Sequence, residues 1–286
     1  MRHFILYNPL AGHGSFADKL NDLKKHLDGE CIDFDVTKLD GYADLLTKLE
    51  ADDEIILCGG DGTINKFVNS VEVEEIKNDI LYYACGSGND FLNDIEGQTG
   101  DKPFKVNKYL VNLPSVVVDG KKYRFVNGVG FGIDGYCCEV GDKLKAESKA
   151  VDYTAIAIKG LLFHFKPCNA SVIVDGKAYE FKKVWLAPTM NGRCYGGGMK
   201  PTPNQDRLNN EKLSLMVFHR TTAIQTLLIF PSIFKGEHVK RKKHVTVIEG
   251  KNIKVKFDKP CALQIDGETI PNVTSYIAHA NHSVRK

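Results

Sequence analysis

Short apolar runs alternate with segments of helical periodicity along the N-terminal third of the chain. Apolar residues recur at helical spacing after the first run, at Phe16, Leu20, Leu23 and Leu27. Strands are predicted at 4–7, 31–36, 54–58 and 80–84, and helices at 16–27, 42–49 and 64–71. Repeated strand–loop–helix order implies right-handed crossovers, so this part is predicted to be a doubly wound, mainly parallel sheet.

The pattern changes near residue 112 to short alternating strands. Segments 116–125 and 172–181 each contain an alternating strand, an Asp-Gly turn and a second strand, which is a strong hairpin pattern. Further strands are predicted at 213–218, 244–248, 253–257 and 262–265, with helices at 153–165 and 223–234. We therefore predict an α/β domain at 1–112 and a mainly antiparallel domain at 113–273.

Composition narrows the functional classes only slightly. Hydrophobic residues make up 43% of the chain, charged residues 26%, and the formal net charge is +2, which is ordinary for a soluble protein. The eight cysteines include no CxxC pair, which favours free thiols in a reducing cytosol. The N-terminal apolar run is too short for a signal peptide, and no stretch approaches the roughly 20 apolar residues that span a bilayer. We expect a cytoplasmic protein that reaches any membrane substrate from the water side.

Candidate chemistry begins at Gly59-Gly60-Asp61-Gly62-Thr63, which follows a predicted strand and precedes a predicted helix. Glycines there permit positive φ and a close approach of backbone N–H groups to phosphate oxygens, which a helix N-terminus also attracts. Asp61 could hold a phosphate-bound Mg²⁺, and Thr63 and Asn65 add neutral donors. The alternative is a plain tight turn. The segment is neither a Walker A loop nor a GxGxxG fingerprint, so neither chemistry is inferred.

Two further glycine-containing loops are expected to meet this one. Residues 8–14 follow the first predicted strand, and residues 85–90 follow the fourth. Parallel sheets place ligands at the carboxyl ends of their strands. The three loops are therefore predicted to converge on one site.

These motifs occur in order with others farther along the chain. They are Asn8-Pro9 with Gly12 and Gly14, 59–65 with Asn69, Gly86-Ser87-Gly88-Asn89-Asp90, Asn191-Gly192, 195–199, Gly236-Glu237-His238 and 264–268. With them the sequence resembles the bacterial soluble branch of the diacylglycerol kinase family, which shares its nucleotide domain with sphingosine and ceramide kinases. The resemblance covers nearly the whole chain. Lys66 stands where an acidic residue is usual, and Ser87 where threonine is usual.

The resemblance implies a fold and a set of nucleotide contacts. The fold is an N-terminal, mainly parallel-sheet nucleotide domain of the NAD kinase and diacylglycerol kinase type, followed by a C-terminal antiparallel β-sandwich domain. It also implies that the end of the chain, 274–286, returns to the nucleotide domain. The implied cofactor is ATP with its Mg²⁺. The implied contacts are Asn8, Pro9, Gly12, Gly14, Thr37, Gly59, Gly60, Asp61, Gly62, Thr63, Asn65, Gly86, Ser87, Asn89 and Asp90.

Asp266 and Glu268 are the candidate acceptors of the alcohol proton in phosphoryl transfer. In an extended segment, residues i and i+2 point the same way, so both carboxylates would face one side and act on one substrate. The alternative is an ordinary hairpin turn like Asp119-Gly120 and Asp175-Gly176, although lysine rather than glutamate follows those turns. The resemblance places the proton acceptor in this Asp-Gly-Glu element and does not decide between the two carboxylates.

A structural Mg²⁺ is doubtful. Related kinases usually carry an Asp-Asp-Gly turn where this chain has Leu208-Asn209-Asn210-Glu211. Asn210 offers only a neutral oxygen, and whether Asp206 compensates is left open. Only the Mg²⁺ that accompanies the nucleotide is expected.

One dense basic run is present, Lys240-Arg241-Lys242-Lys243. It is either a solvated face or a contact with an anionic membrane, where each basic residue contributes on the order of 1 kcal/mol. Nucleic acid is not expected as a partner, because aromatic residues do not interleave with the run. The predicted helix at 153–165 is interpreted as a core or cleft helix, with an interfacial anchor as the alternative.

The resemblance implies transfer of the γ-phosphoryl group of Mg-ATP to a lipid hydroxyl, with diacylglycerol as the leading acceptor and phosphatidic acid as the product. Such an enzyme would work in the cytoplasm or at the inner membrane surface. NAD kinase is the enzymatic alternative, because it shares the Gly-Gly-Asp-Gly-Thr loop. A catalytically silent nucleotide-binding protein is the other alternative. The oligomeric state is left open, with a homodimer among the options.

Overall fold

The computed structural model describes residues 1–9, 16–38, 42–86, 89–95, 102–208 and 211–281. The chain divides into two units, Met1–Leu113 and Pro114–Lys286. Among the described residues, none of the helices combines the length and the apolar character needed to cross a bilayer.

The first unit is built on a five-stranded sheet in the order β2-β1-β3-β4-β5. The first four strands pair in parallel, and only the short β5 is antiparallel to its neighbour. The strands are β1 Arg2–Tyr7, β2 Glu30–Asp35, β3 Glu54–Gly59, β4 Asp79–Ala84 and β5 Phe104–Lys105. The predicted mainly parallel sheet is confirmed.

The described residues of the first unit form five α-helices. They are α1 Phe16–Lys25, α2 Ala43–Leu46, α3 Asp61–Ser70, α4 Asp90–Asp94 and α5 Asn107–Leu110. On one face of the sheet, Leu23 of α1 joins Ile5 and Ile56 in a buried cluster. The helix predicted at 64–71 begins earlier, because the N–H groups of Thr63 and Ile64 already donate to the carbonyl oxygen of Gly60. The last three residues of the glycine motif therefore form the first turn of α3 rather than a loop.

The second unit is a nine-stranded, antiparallel sheet that folds into two layers. The strands are β6 Ser115–Val118, β7 Lys121–Arg124, β8 Gly128–Gly132, β9 Cys168–Val174, β10 Lys177–Met190, β11 Leu213–His219, β12 Val245–Gly250, β13 Asn252–Ile265 and β14 Glu268–His279. The long strands β10 and β13 each pair with β9 along one part and with β8 along another. They therefore pass through both layers, and a large apolar core lies between the layers. The predicted sandwich is confirmed.

Three helices accompany these strands, α6 Ile133–Ala146, α7 Tyr153–Lys159 and α8 Ala223–Ile229. The last two are shorter than predicted. A π-helical turn, Gly160–His164, continues α7, and a 3₁₀ turn, Phe230–Ile233, continues α8. Pro231 lies in the second of these turns and has no N–H for a further α-helical bond.

Three Asp-Gly pairs form two-residue hairpin turns. Both residues of each pair have positive φ, near 47° for aspartate and 79–92° for glycine, which is the geometry of type I′ turns. The hairpins predicted at 116–125 and 172–181 are therefore present. Asp266-Gly267 forms the third turn, between β13 and β14.

The last strand does not return to the first unit, although the family resemblance implies such a return. Residues 274–279 lie in β14, which pairs with β13 and with β6, so they belong to the sheet of the second unit. The expectation that 274–286 returns to the first unit is wrong for this strand, because its backbone hydrogen bonds are taken by the second sheet. Residues 282–286 lie outside the described residues.

Candidate active site

The carboxyl ends of β1 to β4 lie along one edge of the first sheet, since these strands are parallel. Asn8 and Pro9 follow β1, Thr37 follows β2, residues 60–63 follow β3 and Gly86 follows β4. The structure therefore brings these predicted site residues to the edge where parallel sheets place ligands. Gly12, Gly14 and Ser87 lie outside the described residues.

Gly60 and Gly86 lie in contact where two of the loops meet. A Cβ atom added to Gly86 would be 2.6 Å from the Cα of Gly60, and one added to Gly60 would be 3.1 Å from the Cα of Gly86. Neither residue has a positive φ, and Gly60 is extended with φ −110°. The expectation that these glycines serve positive φ is therefore wrong. They are required because a larger residue would push the two loops apart.

Two side chains predicted as phosphate donors are buried. Thr63 is 4% exposed and packs directly against the backbone of Gly59, where a Cβ atom would overlap its hydroxyl. Asn65 is 9% exposed, and its carbonyl oxygen accepts the side-chain amide of Asn69 at 3.0 Å. Thr63 therefore supports the backbone of Gly59 from within α3, whereas Asn65 is joined to Asn69 one turn farther along the helix.

Asp61 joins the start of α4 to the glycine loop that precedes α3. One carboxylate oxygen accepts the N–H of Asp90 at 2.9 Å, and the other accepts the N–H of Phe91 at 2.8 Å. These N–H groups begin α4, where the helix itself offers them no acceptor. The carboxylate predicted to hold Mg²⁺ is thus used to join the N-termini of α3 and α4.

Asn89 lies immediately before this clamp. Its backbone is left-handed with φ 45°, and its Oδ1 atom is buried without a hydrogen-bond donor from any residue that the structure describes. A buried acceptor of this kind needs a donor, such as an amino or hydroxyl group of a ligand. The ten-residue helix α3 begins beside it and adds the partial positive charge of its N-terminus. Together these features fit a nucleotide.

Thr37 and Lys66 are both tied to the end of β2. The hydroxyl of Thr37 donates to Asp35 at 2.6 Å, and this bond is the main reason that the pKa of Asp35 is lowered. The ammonium group of Lys66 donates to the carbonyl oxygen of Val36 at 2.6 Å. Lys66, which departs from the usual acidic residue, thus links α3 to the strand end that carries Thr37. No local pattern in the sequence predicts this link.

In the part of the chain that the structure describes, clustered metal ligands are absent. Within the described ranges, no three histidine, cysteine, aspartate or glutamate side chains are grouped as metal ligands. Asp206 accepts the N–H of Leu208 at 2.9 Å, and Asn209 and Asn210 lie outside the described residues.

In the second unit, Asp266 is held by three backbone N–H groups. Its carboxylate accepts from Val126 at 2.6 Å, from Asn127 at 2.8 Å and from Gly128 at 2.9 Å. Its own N–H donates to the carbonyl oxygen of Gly128 at 3.0 Å. Hydrogen bonds to an ionised acceptor are stronger than neutral ones, so this turn is fixed tightly to 126–128.

A buried polar network supports 126–128 from the other side. Arg207 is 9% exposed and donates to the side chain of Asn127 at 2.9 Å and to the carbonyl oxygen of Val126 at 3.2 Å. The side chain of Asn191 also donates to that carbonyl at 2.9 Å, and the N–H groups of Asn191 and Gly192 donate to the carbonyl of Asn127. The motif Asn191-Gly192 therefore supports the backbone segment that binds Asp266. Sequence reasoning missed Asn127 and Arg207, because nothing local in the sequence connects them.

Of the two conformations considered for 266–268, an extended segment or an Asp-Gly hairpin turn, the structure has the turn. Asp266 and Gly267 form a turn, and Glu268 is the first residue of β14, opposite Ile265. The argument that alternate residues point the same way therefore does not apply. Asp266 is half-buried and engaged with backbone, whereas Glu268 is exposed. The two carboxylates remain the candidate proton acceptors of the second unit.

Asp134 is a buried carboxyl group connected to the same turn. The side-chain amide of Gln264 donates to Asp134 at 3.3 Å, and its oxygen accepts the N–H of Gly267 at 2.9 Å. Burial raises the pKa of Asp134 to about 6, although hydrogen bonds from Gly135 and Gln264 oppose the rise. Sequence reasoning missed it. A glycine inside a strand often marks a close approach, and Gly130 of β8 leaves no room for a Cβ beside this carboxyl.

Comparison with known families covers both units. The model of the diacylglycerol kinase catalytic domain matches residues 2–115, and that of the YegS C-terminal NAD kinase beta sandwich-like domain matches residues 127–282. The chain belongs to the diacylglycerol kinase catalytic family. It is therefore a kinase.

Relatives of this kinase match along nearly its full length. It is 24% identical over 275 residues to a diacylglycerol kinase of Bacillus subtilis, covering 92% of this chain and 88% of that protein. It is 25% identical over 288 residues to one from Mycobacterium tuberculosis, covering 93% and 91%. A crystal structure described as a diacylglycerol kinase from Bacillus anthracis matches with a TM-score of 0.60 and 18% identity, over 98% of this chain and 94% of that one. That likeness supports the fold.

The raised pKa of Asp134 makes the stability of this diacylglycerol kinase family member depend on pH. The group titrates at 3.8 when unfolded and at about 6 when folded, so its protonated form favours folding. Its contribution is complete below pH 3.8 and is lost as the pH rises through about 6, a change of about 3 kcal/mol. We expect Asp134→Asn to remove this slope, so that the variant gains stability relative to the parent between pH 4 and 6.

Denaturant unfolding of both proteins across this pH range measures the effect. Asp142→Asn is the control, because Asp142 lies on the same helix α6 but is half-exposed. A parallel pH dependence in the parent and in Asp134→Asn would contradict the assignment.

Proposed function

We propose that the protein transfers the γ-phosphoryl group of ATP to the hydroxyl group of a membrane lipid, with diacylglycerol as the leading acceptor and phosphatidic acid as the product. The observation that carries the nucleotide part is the contact of Gly60 with Gly86, fixed by Asp61 next to the buried acceptor of Asn89. The acceptor is proposed from the relatives, which are named diacylglycerol kinases.

The first unit binds and orients the donor in this proposal. The α3 N-terminus and the glycine backbone face the phosphate groups, and the Oδ1 atom of Asn89 accepts a hydrogen bond from the nucleotide. ATP supplies the phosphoryl group, and the Mg²⁺ that it carries neutralises charge during transfer. Asp61 acts by holding α4 and the loop before it in place.

The second unit supplies the proton acceptor. The lipid hydroxyl oxygen forms a bond to the γ-phosphorus while the bond from that phosphorus to the leaving ADP breaks. The hydroxyl proton passes to a carboxylate of the Asp266–Glu268 turn. A positioned base of this kind contributes about a hundredfold to ten-thousandfold in rate.

Substrate trials test this proposal directly. Purified protein with Mg-ATP would be incubated with micelles of diacylglycerol, sphingosine, ceramide or phosphatidylglycerol, and with NAD as the control. We expect phosphate transfer to diacylglycerol. Phosphorylation of NAD without any lipid product would overturn the lipid assignment in favour of NAD kinase, and no product at all would favour a silent nucleotide-binding protein.

Gly86→Ala tests the nucleotide part. The added methyl group would lie 2.6 Å from the Cα of Gly60 and 3.1 Å from the Oδ1 of Asn89, so both loops must move. Overpacking of this kind costs about 1–3 kcal/mol of stability. Because ATP would need the loops in their original positions, we expect its affinity to fall by up to roughly a hundredfold. Calorimetric titration with Mg-ATP measures it, and Ser70→Ala at the exposed end of α3 is the control. Unchanged affinity would show that ATP binds elsewhere.

Asp266→Asn and Glu268→Gln distinguish a catalytic role of each carboxylate from a role in stabilising the fold. We expect both variants to bind ATP normally and at least one to lose about a hundredfold or more in transfer rate. An asparagine amide would place N–H against N–H at 126–128, so Asp266→Asn also loses about 1–3 kcal/mol of stability. Glu268 is exposed, so Glu268→Gln leaves thermal unfolding unchanged.

Asp175→Asn provides a matched control for this pair. Asp175 occupies the same position in another Asp-Gly turn, and its carboxylate accepts the N–H groups of Lys251 and Asn252. It should show the same loss of stability without any loss of transfer. Wild-type turnover in both Asp266→Asn and Glu268→Gln would remove the turn from the reaction.

A further inference from the structure

One outer layer of the second unit has an apolar side that faces away from the protein. Its segments are α7, the turn Gly160–His164, α8 and the turn Phe230–Ile233. The inward side chains Leu161, Ile229 and Ile233 join one core cluster, together with Trp185 of β10 and Phe218 of β11. Because the inward residues share a core, the outward residues of these neighbouring segments share a surface.

The outward residues are also apolar, although a surface helix normally presents polar residues there. Phe163 is 75% exposed, Leu228 is 76% exposed and Ile224 is 65% exposed. We call the apolar patch the group of Ile158, Leu162, Phe163, Ile224, Leu228 and Phe234. Single exposed apolar residues are common, but a contiguous group of this kind marks an interaction site.

The charged residues within the patch segments are all basic, whereas the N-cap of α7 and the neighbouring helix α6 add Asp152, Glu139 and Asp142. Residues 153–174 and 212–236 contain no aspartate or glutamate. Lys159, Lys166, Arg220 and Lys235 are exposed on or beside the patch segments. Glu237 is the single acidic residue between 212 and 248, and it lies 3.7 Å from Lys240 in an ion pair.

The basic run 240–243 continues this border. The turn Phe230–Ile233 packs against the short helix Glu237–Lys240, and all four residues of the run are exposed. The backbone of the run is held in place because the N–H groups of His244 and Val245 donate to the carbonyl oxygen of Arg241. The run is therefore a fixed, cationic edge next to the apolar patch.

We propose that the apolar patch docks into a lipid bilayer and that the basic run binds the anionic head groups around it. This inference rests on the proposed function, because a lipid kinase needs its acceptor at a membrane surface. Apolar side chains enter the outer part of the bilayer while cationic residues remain at the head groups. The helix predicted at 153–165 is thus both a core element on one side and an interfacial anchor on the other.

Charge favours a membrane over a second copy of this chain. A twofold contact through the apolar patch would bring like-charged borders together, and opposed like charges disfavour association. A bilayer with anionic lipids offers both an apolar interior and the opposite charge. The apolar patch and its basic border therefore fit an anionic membrane better than a second copy of the chain.

Vesicle binding in the absence of ATP tests the inference. The full chain would be sedimented with vesicles of phosphatidylcholine alone or mixed with phosphatidylglycerol. We expect binding to the mixed vesicles and a decrease with added salt, because exposed charges are screened. The double variant Phe163→Gln with Leu228→Gln should weaken binding by about tenfold or more. A variant with glutamine at all four positions of the basic run should lose the preference for phosphatidylglycerol.

Ile173→Gln is the matched control, since Ile173 is 39% exposed on β9 and lies outside the patch segments. It should bind as the parent does. The patch variants should also keep the parent unfolding temperature and the parent affinity for Mg-ATP, which shows that their fold is intact.

The outcomes distinguish this inference from the proposed function. Vesicle binding that requires the apolar patch, in a protein that phosphorylates no lipid, would support docking and overturn the lipid kinase assignment. Normal lipid turnover in micelles without vesicle binding would overturn docking alone. Self-association that the patch variants abolish, without vesicle binding, would also overturn docking and assign the patch to a second copy.

Discussion

The carboxylate of Asp61 accepts the N–H groups of Asp90 and Phe91, and these two hydrogen bonds hold the candidate nucleotide loops together. The contact of Gly60 with Gly86 is fixed by this clamp together with the backbone, because the N–H groups of Cys85 and Gly86 donate to the carbonyl oxygen of Gly59 at 2.7 and 3.3 Å. The left-handed Asn89 is held just before the N–H groups that Asp61 binds. An acidic residue next to two glycines thus serves first as a backbone acceptor.

In the second unit too, an aspartate carboxylate fixes the backbone by accepting N–H groups. Asp266 binds three consecutive N–H groups at 126–128, and Arg207 and Asn191 bind the neighbouring oxygens. A carboxylate that is fixed in this way keeps one orientation, and the N–H donors on both of its oxygens stabilise the ionised form. The cost is that Asp266 cannot be changed without disturbing the backbone that supports it, whereas Glu268 is exposed and separable.

Much of the fold could be predicted because its determinants are local. Helical periodicity, alternating strands and Asp-Gly turns act over a few residues, and they gave the parallel sheet, the antiparallel sandwich and the hairpins. The predicted ends of the helices were less accurate. The beginning of α3 depends on hydrogen bonds to Gly60, and α7 and α8 give way to π-helical and 3₁₀ turns. The course of 274–279 was wrong, because pairing with β6 joins positions far apart in the chain.

By itself the sequence determined the alternation of strands and helices in the first unit, most strands of the second, the glycine loops at strand ends and the family to which the chain belongs. It did not predict α6, β8 or β14. Tertiary structure decided what individual residues do. It assigned Asp61 and Asp266 to backbone N–H groups, made Gly60 and Gly86 necessary through contact rather than through φ, and connected Lys66 to Val36. The physical reason is distance along the chain. A hydrogen bond such as that between Asp266 and Val126 joins residues 140 positions apart, and no local pattern records it.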